Sequence, residues 1–214
     1  MSCENRYAYI LGQAKAVVSD GHFVYTSGLH GNTYVNKDAL YPHTVYVEMI
    51  CEEFAIRFFN SDVDVVVGPA MGGIILSNRT AHHLCGFAGS KVLGVYAEKS
   101  ADGSEFVIRR GYGALIPGKN VLVVEDILTT GGSVRKVVNA VRALGGNVVG
   151  VGAICNRGGV SASDVGDVPR LECLIDVKLD SWSPQDCPMC KSGVPVNTEL
   201  GKGREYLASL AKTE

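Results

Sequence analysis

Hydrophobic and polar positions fall into two alternating patterns along this chain. Residues 147–154 and 171–177 read as strands, and Val63-Asp64-Val65-Val66-Val67-Gly68 and the run from Val121 to Val124 are short and rich in β-branched residues. Such runs mark strands buried on both faces. Lys91 to Ala97 reads as a further strand. Between these runs the period changes. Residues 43–59 place Val45, Met49, Phe54 and Phe58 at helical spacing. A helix follows Gly68-Pro69-Ala70-Met71-Gly72-Gly73 through about residue 85, and another spans about 133–144. Strands that alternate with helices imply βαβ units, so the fold class is α/β with a parallel sheet.

The two ends lie outside this alternation. Residues 7–18 have helical spacing. Gly21–Tyr25 and Thr33–Asn36 read as two short strands joined by the turn Ser27-Gly28-Leu29-His30-Gly31-Asn32. The tail carries Pro184, Pro188 and Pro195 and is expected to be mostly loop until a short helix near Arg204–Ala211. The expectation is one domain over 1–214. Its core covers about 43–180, and residues 1–42 with the tail after about 180 form a small hood over the strand ends. Residues 98–119 form a long excursion with one short strand at Glu105–Ile108. Excursions of this length in a compact domain are often lids or binding loops.

The chemistry concentrates in Val121-Leu122-Val123-Val124-Glu125-Asp126-Ile127-Leu128-Thr129-Thr130-Gly131-Gly132-Ser133. A buried strand ends in two carboxylates, and small hydroxyl and glycine residues then open a helix. Ligands of open α/β sheets bind beyond the carboxyl ends of strands. A turn of small residues at a helix start aims backbone N–H groups and the helix dipole at an anion, most often phosphate. The acids would repel that phosphate, so they suit sugar hydroxyls or a divalent cation. The segment therefore reads as a site for a phosphorylated sugar. It contains no Gly-x-x-x-x-Gly-Lys-Ser/Thr loop, and no Gly-x-Gly-x-x-Gly follows the strand.

Composition narrows the classes. The 214 residues are 46% hydrophobic, enough for a sizeable core, and 26 glycines suit many tight turns. A net charge of −2 argues against a general nucleic-acid or membrane-surface binder. No apolar run approaches the ~18 residues of a membrane span. The first residues show no basic segment followed by an apolar run, so no signal peptide is expected and the setting reads as cytoplasmic. The seven cysteines are odd in number and scattered, so reduced thiols are the default. Cys187-Pro188-Met189-Cys190 reads first as a structural turn, with metal binding or redox chemistry as alternatives. A single Cys-x-x-Cys is a weak zinc signal, and Cys155 and Cys173 stand poorly placed to complete it.

The thirteen positions from Val121 to Ser133 resemble the phosphoribosyl-diphosphate (PRPP) motif of type I phosphoribosyltransferases. Gly68-Pro69-Ala70-Met71-Gly72-Gly73 resembles the diphosphate loop of the same family, although glycines there also serve helix–strand packing. Ser27-Gly28-Leu29-His30-Gly31-Asn32-Thr33-Tyr34-Val35-Asn36-Lys37 looks like the hood segment of the orotate phosphoribosyltransferases. Thr26 departs from the lysine that many members carry there. The resemblance covers about residues 20 to 178 and includes Asn156-Arg157.

The resemblance implies transfer of phosphoribosyl from PRPP to orotate, giving orotidine 5′-monophosphate and diphosphate in pyrimidine biosynthesis. It implies that N–H groups of Leu128, Thr129, Thr130, Gly131, Gly132 and Ser133 hold the 5′-phosphate, with Ile127 also in the PRPP site. Glu125 and Asp126 take the ribose hydroxyls and count as catalytic. Ala70, Met71, Gly72 and Gly73 face the diphosphate. Lys99 is the favoured catalytic cation of the excursion, with Arg109 and Arg110 as seconds. Thr129, Arg157, Tyr34 and Val35 meet orotate, Arg157 as a bidentate partner of its carboxylate. Mg²⁺ is the implied cofactor, with no protein side chain expected as a dedicated ligand. Family members are usually homodimers, which implies a dimer here, with no nucleic-acid or membrane partner. The Cys-x-x-Cys tail also occurs in some members.

Two other readings stay open: a purine (adenine or xanthine) phosphoribosyltransferase, and a non-catalytic regulator that senses PRPP. Arg157 and the hood speak against the first, the retained acid pair and the lack of a basic extension against the second. His82 and His83 read as surface or packing residues, and Trp182 as a cover for core. His22, His30 and His43 lack a nucleophile pattern, and the hood turn places His30 towards ligand.

Overall fold

The computed structural model describes residues 3–25, 27–89, 91–177 and 180–211. The chain divides into two compact units. One comprises Met1–Tyr7 and His43–Val177, the other Ala8–Pro42 and Lys178–Glu214. Helix α1 (Cys3–Gln13) spans the first boundary between them. Thr26, the departure from the hood pattern, lies outside the described residues.

The N-terminal half of the smaller unit holds four two-residue strands, β1 (Val17–Val18), β2 (Phe23–Val24), β3 (His30–Gly31) and β4 (Tyr34–Val35). The sequence pattern joined the second and fourth of these as one hairpin. Instead β2 pairs with β3 and β4 pairs with β1, both antiparallel. The reason lies in the turn. Tyr25 N donates to Leu29 O at 2.8 Å and Gly28 N to Tyr25 O at 2.9 Å, with Gly28 at φ +82. That tight closure brings His30 and Gly31, not residues 33–36, opposite β2.

The larger unit begins with α2 (Thr44–Phe58) and β5 (Val65–Pro69). Then come α3 (Gly72–Ala88), β6 (Leu93–Lys99), β7 (Phe106–Val107) and β8 (Asn120–Leu128). It ends with α4 (Gly132–Ala143), β9 (Asn147–Asn156) and β10 (Leu171–Asp176). Six strands form one sheet in the order β10-β9-β8-β5-β6-β7, parallel except for β7. The chain moves from β5 to β6 on one side, then returns to place β8 on the other side of β5. The carboxyl ends of β5 and β8 therefore flank a topological switch point, where open α/β sheets bind ligands.

Burial explains the strand runs. Val65, Val66, Val67 and Val121 through Val124 are each at most 1% exposed. One sheet face packs on α4, whose Val134, Val137, Val138 and Val141 recur at i, i+3, i+4 and i+7 and are all buried. No described helix is long and apolar enough to cross a membrane.

The excursion at 98–119 is more ordered than its length suggests. β6 extends to Lys99 and turns back into β7, pairing Glu98 with Val107 and Lys99 with Phe106. Asp102 organises the turn by accepting from the Ser100 hydroxyl at 2.5 Å and the Ser104 hydroxyl at 2.7 Å. Those hydrogen bonds hold the Asp102 carboxyl down at about 2. The Lys136 ammonium of α4 donates to Ser104 O.

The rest of the smaller unit is the tail, with α5 (Pro188–Lys191) and α6 (Gly203–Leu210). The expected turn at Cys187–Cys190 is thus the start of a short helix, with Pro188 in its first turn, where a missing N–H costs nothing.

Candidate active site

The carboxyl ends of β5, β8 and β9 bring together most of the residues singled out in the larger unit. Beyond β8 the chain turns through Thr129, Thr130 and Gly131 into α4. Gly131 takes φ +73, and a Cβ there would stand 2.9 Å from a Val165 methyl. Both the left-handed backbone and the crowding require glycine. The first N–H groups of α4 have no intrahelical acceptor, and the helix dipole adds positive potential at that end. Glu125, Ile127 through Ser133 and Val134 line a concavity of about 300 Å³. Thr130 Oγ1 accepts from Gly132 N at 3.4 Å, which fixes the curve of the turn.

The acid pair sits deeper than a strand-end position would give. β8 continues to Leu128, so Glu125 and Asp126 are strand residues, 7% and 2% exposed. Strand alternation sends their side chains to opposite faces of the sheet. Glu125 belongs with the lining of the turn, and Asp126 does not. Each carboxylate also braces the next peptide. Glu125 Oε1 accepts from Asp126 N at 3.0 Å, and Asp126 Oδ1 accepts from Ile127 N at 2.7 Å. Two carboxylates held this way are fixed in place before any ligand arrives.

The loop after β5 has its own constraint. Gly68 and Gly73 pack backbone to backbone, and a Cβ on Gly68 would fall 2.2 Å from Gly73 O. That contact folds Ala70, Met71 and Gly72 into a tight connection whose Ala70 N donates to Ala97 O at 2.8 Å. The Ala70–Met71 peptide is cis. Met71 is 83% exposed at the crest.

Arg157 follows the end of β9, the neighbour of β8. Its backbone N donates to Leu128 O and its Nε to Thr129 Oγ1, both at 2.9 Å. Thr129 and Arg157, both implied by the resemblance to meet orotate, are thus in direct contact. Asn156 had no separate role in the sequence reading. Its amide Nδ2 donates to Val160 O at 3.0 Å, and its Oδ1 accepts from Val160 N at 2.9 Å. This buried clamp shapes the loop that carries Arg157. An asparagine closing a strand is the signal that could have exposed it, because its side chain mimics a backbone turn.

The excursion cations separate. Lys99 is the exposed last residue of β6. Arg109 is exposed on the segment after β7. The Arg110 guanidinium makes a two-point pair with Glu98, at 2.9 and 3.2 Å. Hydrogen bonds from Arg110 hold the Glu98 carboxyl below its usual range. Tyr34 and Val35 belong to the smaller unit. Tyr34 stacks obliquely on Phe23, and Val35 is 5% exposed opposite Val17. His83 is a surface partner of Glu48 at 2.8 Å.

Three cysteines of this unit are poor nucleophiles. Burial pushes the Cys51 and Cys173 thiols up to about 12 and Cys155 to about 11. Such thiols stay protonated and unreactive near neutral pH.

Known proteins share this fold. The family description "Phosphoribosyl transferase domain" matches residues 43–188. A protein of Pelotomaculum thermopropionicum named orotate phosphoribosyltransferase is 43% identical over 183 residues, 86% of this chain and 90% of the relative. One of the same name from Thermotoga maritima is 40% identical over 184 residues, 86% and 92% of the two chains. The crystal structure of Mycobacterium tuberculosis orotate phosphoribosyltransferase with PRPP superposes with a TM-score of 0.58 at 21% identity, covering 81% of this chain and 90% of that one. With a family match over its whole sheet and relatives alike across most of their length, the chain belongs to the phosphoribosyltransferase family, among the orotate phosphoribosyltransferases.

Proposed function

We infer that the chain transfers the phosphoribosyl group of PRPP to N1 of orotate, releasing orotidine 5′-monophosphate and diphosphate. The observation that carries this reading is the contact of Arg157 with Thr129 at the rim of the anion turn. A guanidinium there can grip a carboxylate through two parallel hydrogen bonds, which a neutral purine does not call for. The shared name of the relatives supports orotate as the base.

Breaking the anomeric C–O bond builds positive charge on the ribose and negative charge on the departing diphosphate. No enzyme nucleophile is required, so positioning and electrostatics supply the rate. The N–H groups from Leu128 to Ser133 hold the 5′-phosphate. Glu125 and Asp126 hold the ribose hydroxyls and favour the cationic sugar. The loop from Ala70 to Gly73 faces the diphosphate, with Ala70 N itself held by Ala97 O. Lys99 is the first choice for charge on the leaving group. Arg109 is its second, and Arg110 contributes only when it leaves Glu98.

The donor set at the turn suits Mg²⁺. The Glu125 carboxylate and the Thr129 and Thr130 hydroxyls are hard oxygens, and Mg²⁺ takes most of its ligands from substrate and water. When bound, Mg²⁺ neutralises diphosphate charge as the bond breaks. A homodimer accompanies this reading. Ile56, Phe59 and Phe87 form an exposed apolar patch that a second copy would cover.

The test is orotate consumption, followed by absorbance, with PRPP and Mg²⁺. Turnover with orotate and none with adenine, xanthine or uracil is expected. Turnover with a purine would move the chain to another branch of the family. PRPP binding without any turnover would make it a sensor.

A further inference from the structure

We propose that His22, His30, Cys187 and Cys190 of the smaller unit form a structural zinc site. Their ligand atoms, His22 Nε2, His30 Nδ1 and the two Sγ atoms, all lie within 4.8 Å of one another. Cys187 Sγ and Cys190 Sγ each stand 3.6 Å from His22 Nε2, and Cys190 Sγ stands 3.3 Å from His30 Nδ1. With Zn–S near ~2.3 Å and Zn–N near ~2.05 Å, a tetrahedral ion sets S···N edges of about 3.6 Å. The imidazole edge is 2.8 Å, a hydrogen-bond distance. It opens by about half an ångström when both nitrogens turn to a metal.

The surroundings fix the histidine tautomers. His22 Nδ1 lies 2.7 Å from Val194 O, an acceptor only, so Nδ1 carries the proton. The lone pair of Nε2 therefore faces the thiols. A backbone carbonyl behind a histidine is the usual outer support of a zinc ligand. If His30 ligates through Nδ1, its proton sits on Nε2, a buried atom with no hydrogen-bond partner. That ring meets Tyr206 edge-on, with centroids 4.7 Å apart. Zinc binding displaces the two thiol protons to solvent.

Burial argues for structure rather than catalysis. Cys187 and His30 are fully buried and His22 is 2% exposed. Four protein ligands leave no open position for substrate, the mark of a structural site. Two thiolates with two imidazoles in a tetrahedral array select zinc. Cys190 is half-buried at the edge of the cluster.

The fold gives the ion a task. The ligands join a hairpin, His22 beside β2 and His30 in β3, to a helical turn 160 residues away. Backbone hydrogen bonds also link these segments. His30 and Trp182 exchange backbone hydrogen bonds at 2.8 and 2.9 Å, and Asn197 N donates to His22 O at 2.8 Å. Small, loop-rich units commonly need such a staple. His30 thus turns inward to this cluster.

The experiment measures metal in the full-length protein, purified without chelator, by plasma mass spectrometry. One zinc per chain is expected. Cobalt exchanged into the wild-type protein should give the visible bands of tetrahedral Co²⁺ and a thiolate-to-cobalt charge-transfer band. Cys190→Ser and His22→Ala should lose most of the zinc, while Cys173→Ser, outside the cluster, should keep it. Failure of a ligand variant to fold leaves the cobalt spectrum of the wild type as the deciding measurement. Absence of stoichiometric zinc, a six-coordinate cobalt spectrum, a Cys187–Cys190 disulfide in the native protein, or loss of zinc from Cys173→Ser would each overturn the assignment. None of these readouts depends on turnover of orotate.

Discussion

The turn between β8 and α4 and the His–Cys cluster of the smaller unit are built in opposite ways. In the proposed function the turn binds through main-chain N–H groups, so its residues must be consecutive, and thirteen neighbours from Val121 to Ser133 carry the pattern. The cluster binds through side chains, so its four residues can come from anywhere the fold permits. His22 and Cys190 are 168 positions apart. A main-chain site writes itself into one stretch of sequence. A side-chain site writes itself into the topology. The turn needs small residues that let a ligand approach, whereas the cluster needs bulk around it to exclude water.

If the two regions are functionally separate, damage to one should spare the other. The largest effect is expected from Asp126→Asn, which keeps the shape of a side chain only 2% exposed. It removes a charge that the proposed mechanism assigns to the ribose hydroxyls, and groups of this kind contribute on the order of 10²–10³ in turnover. Steady-state rates with PRPP and orotate should fall by about that factor, while zinc content and melting temperature stay near wild type. Wild-type turnover would remove the acid pair from the mechanism. A loss of zinc in this variant would break the separation itself.

Arg157→Ala should produce a smaller and more selective loss. A charge-assisted hydrogen bond contributes about 1.5–3 kcal/mol, so the KM for orotate should rise roughly 10- to 100-fold. The KM for PRPP should change little, because the anion turn donates from its backbone. An equal loss for both substrates would show that Arg157 shapes the turn through Thr129 and does not select the base.

Much of the larger unit was legible. β5 and most of β8 are buried on both faces, so their sequence is dominated by Val and Leu. The helices show their period because one face is buried, as Val134, Val137, Val138 and Val141 illustrate. What escaped was set by tertiary contact. The depth of Glu125 and Asp126 depends on where pairing between β8 and β9 ends, which continues as far as Leu128 opposite Asn156. The smaller unit was hard to read for a related reason. Strands of two residues are too short to show alternation, so the pairing of β2 with β3 depended on one tight turn. Cys187-x-x-Cys190 looked like half a site because its other half is not a second cysteine pair. It is two histidines eight positions apart on a hairpin. Each of those histidines on its own is unremarkable.

The smallest effect tests which cation of the 98–119 excursion serves the leaving group. Arg110 is tied to Glu98 by two contacts and lies near the Tyr96 ring at 5.9 Å. Hydrogen bonds from Arg110 keep Glu98 ionised below the usual carboxylate range, so the pair is intact at neutral pH and persists as pH falls through that range. Exposed pairs of this kind are weak, and Glu98→Gln should alter turnover by less than about fivefold. The sign carries the information. A rise means that Arg110, once released, reaches the diphosphate and that Glu98 restrains it. A fall means that the pair stabilises the β6 end on which Lys99 stands. Lys99→Gln, measured beside it, should give the larger drop if Lys99 supplies the charge. If Arg109→Gln or Arg110→Gln exceeds it, the catalytic cation belongs to the segment after β7 and the assignment to Lys99 fails.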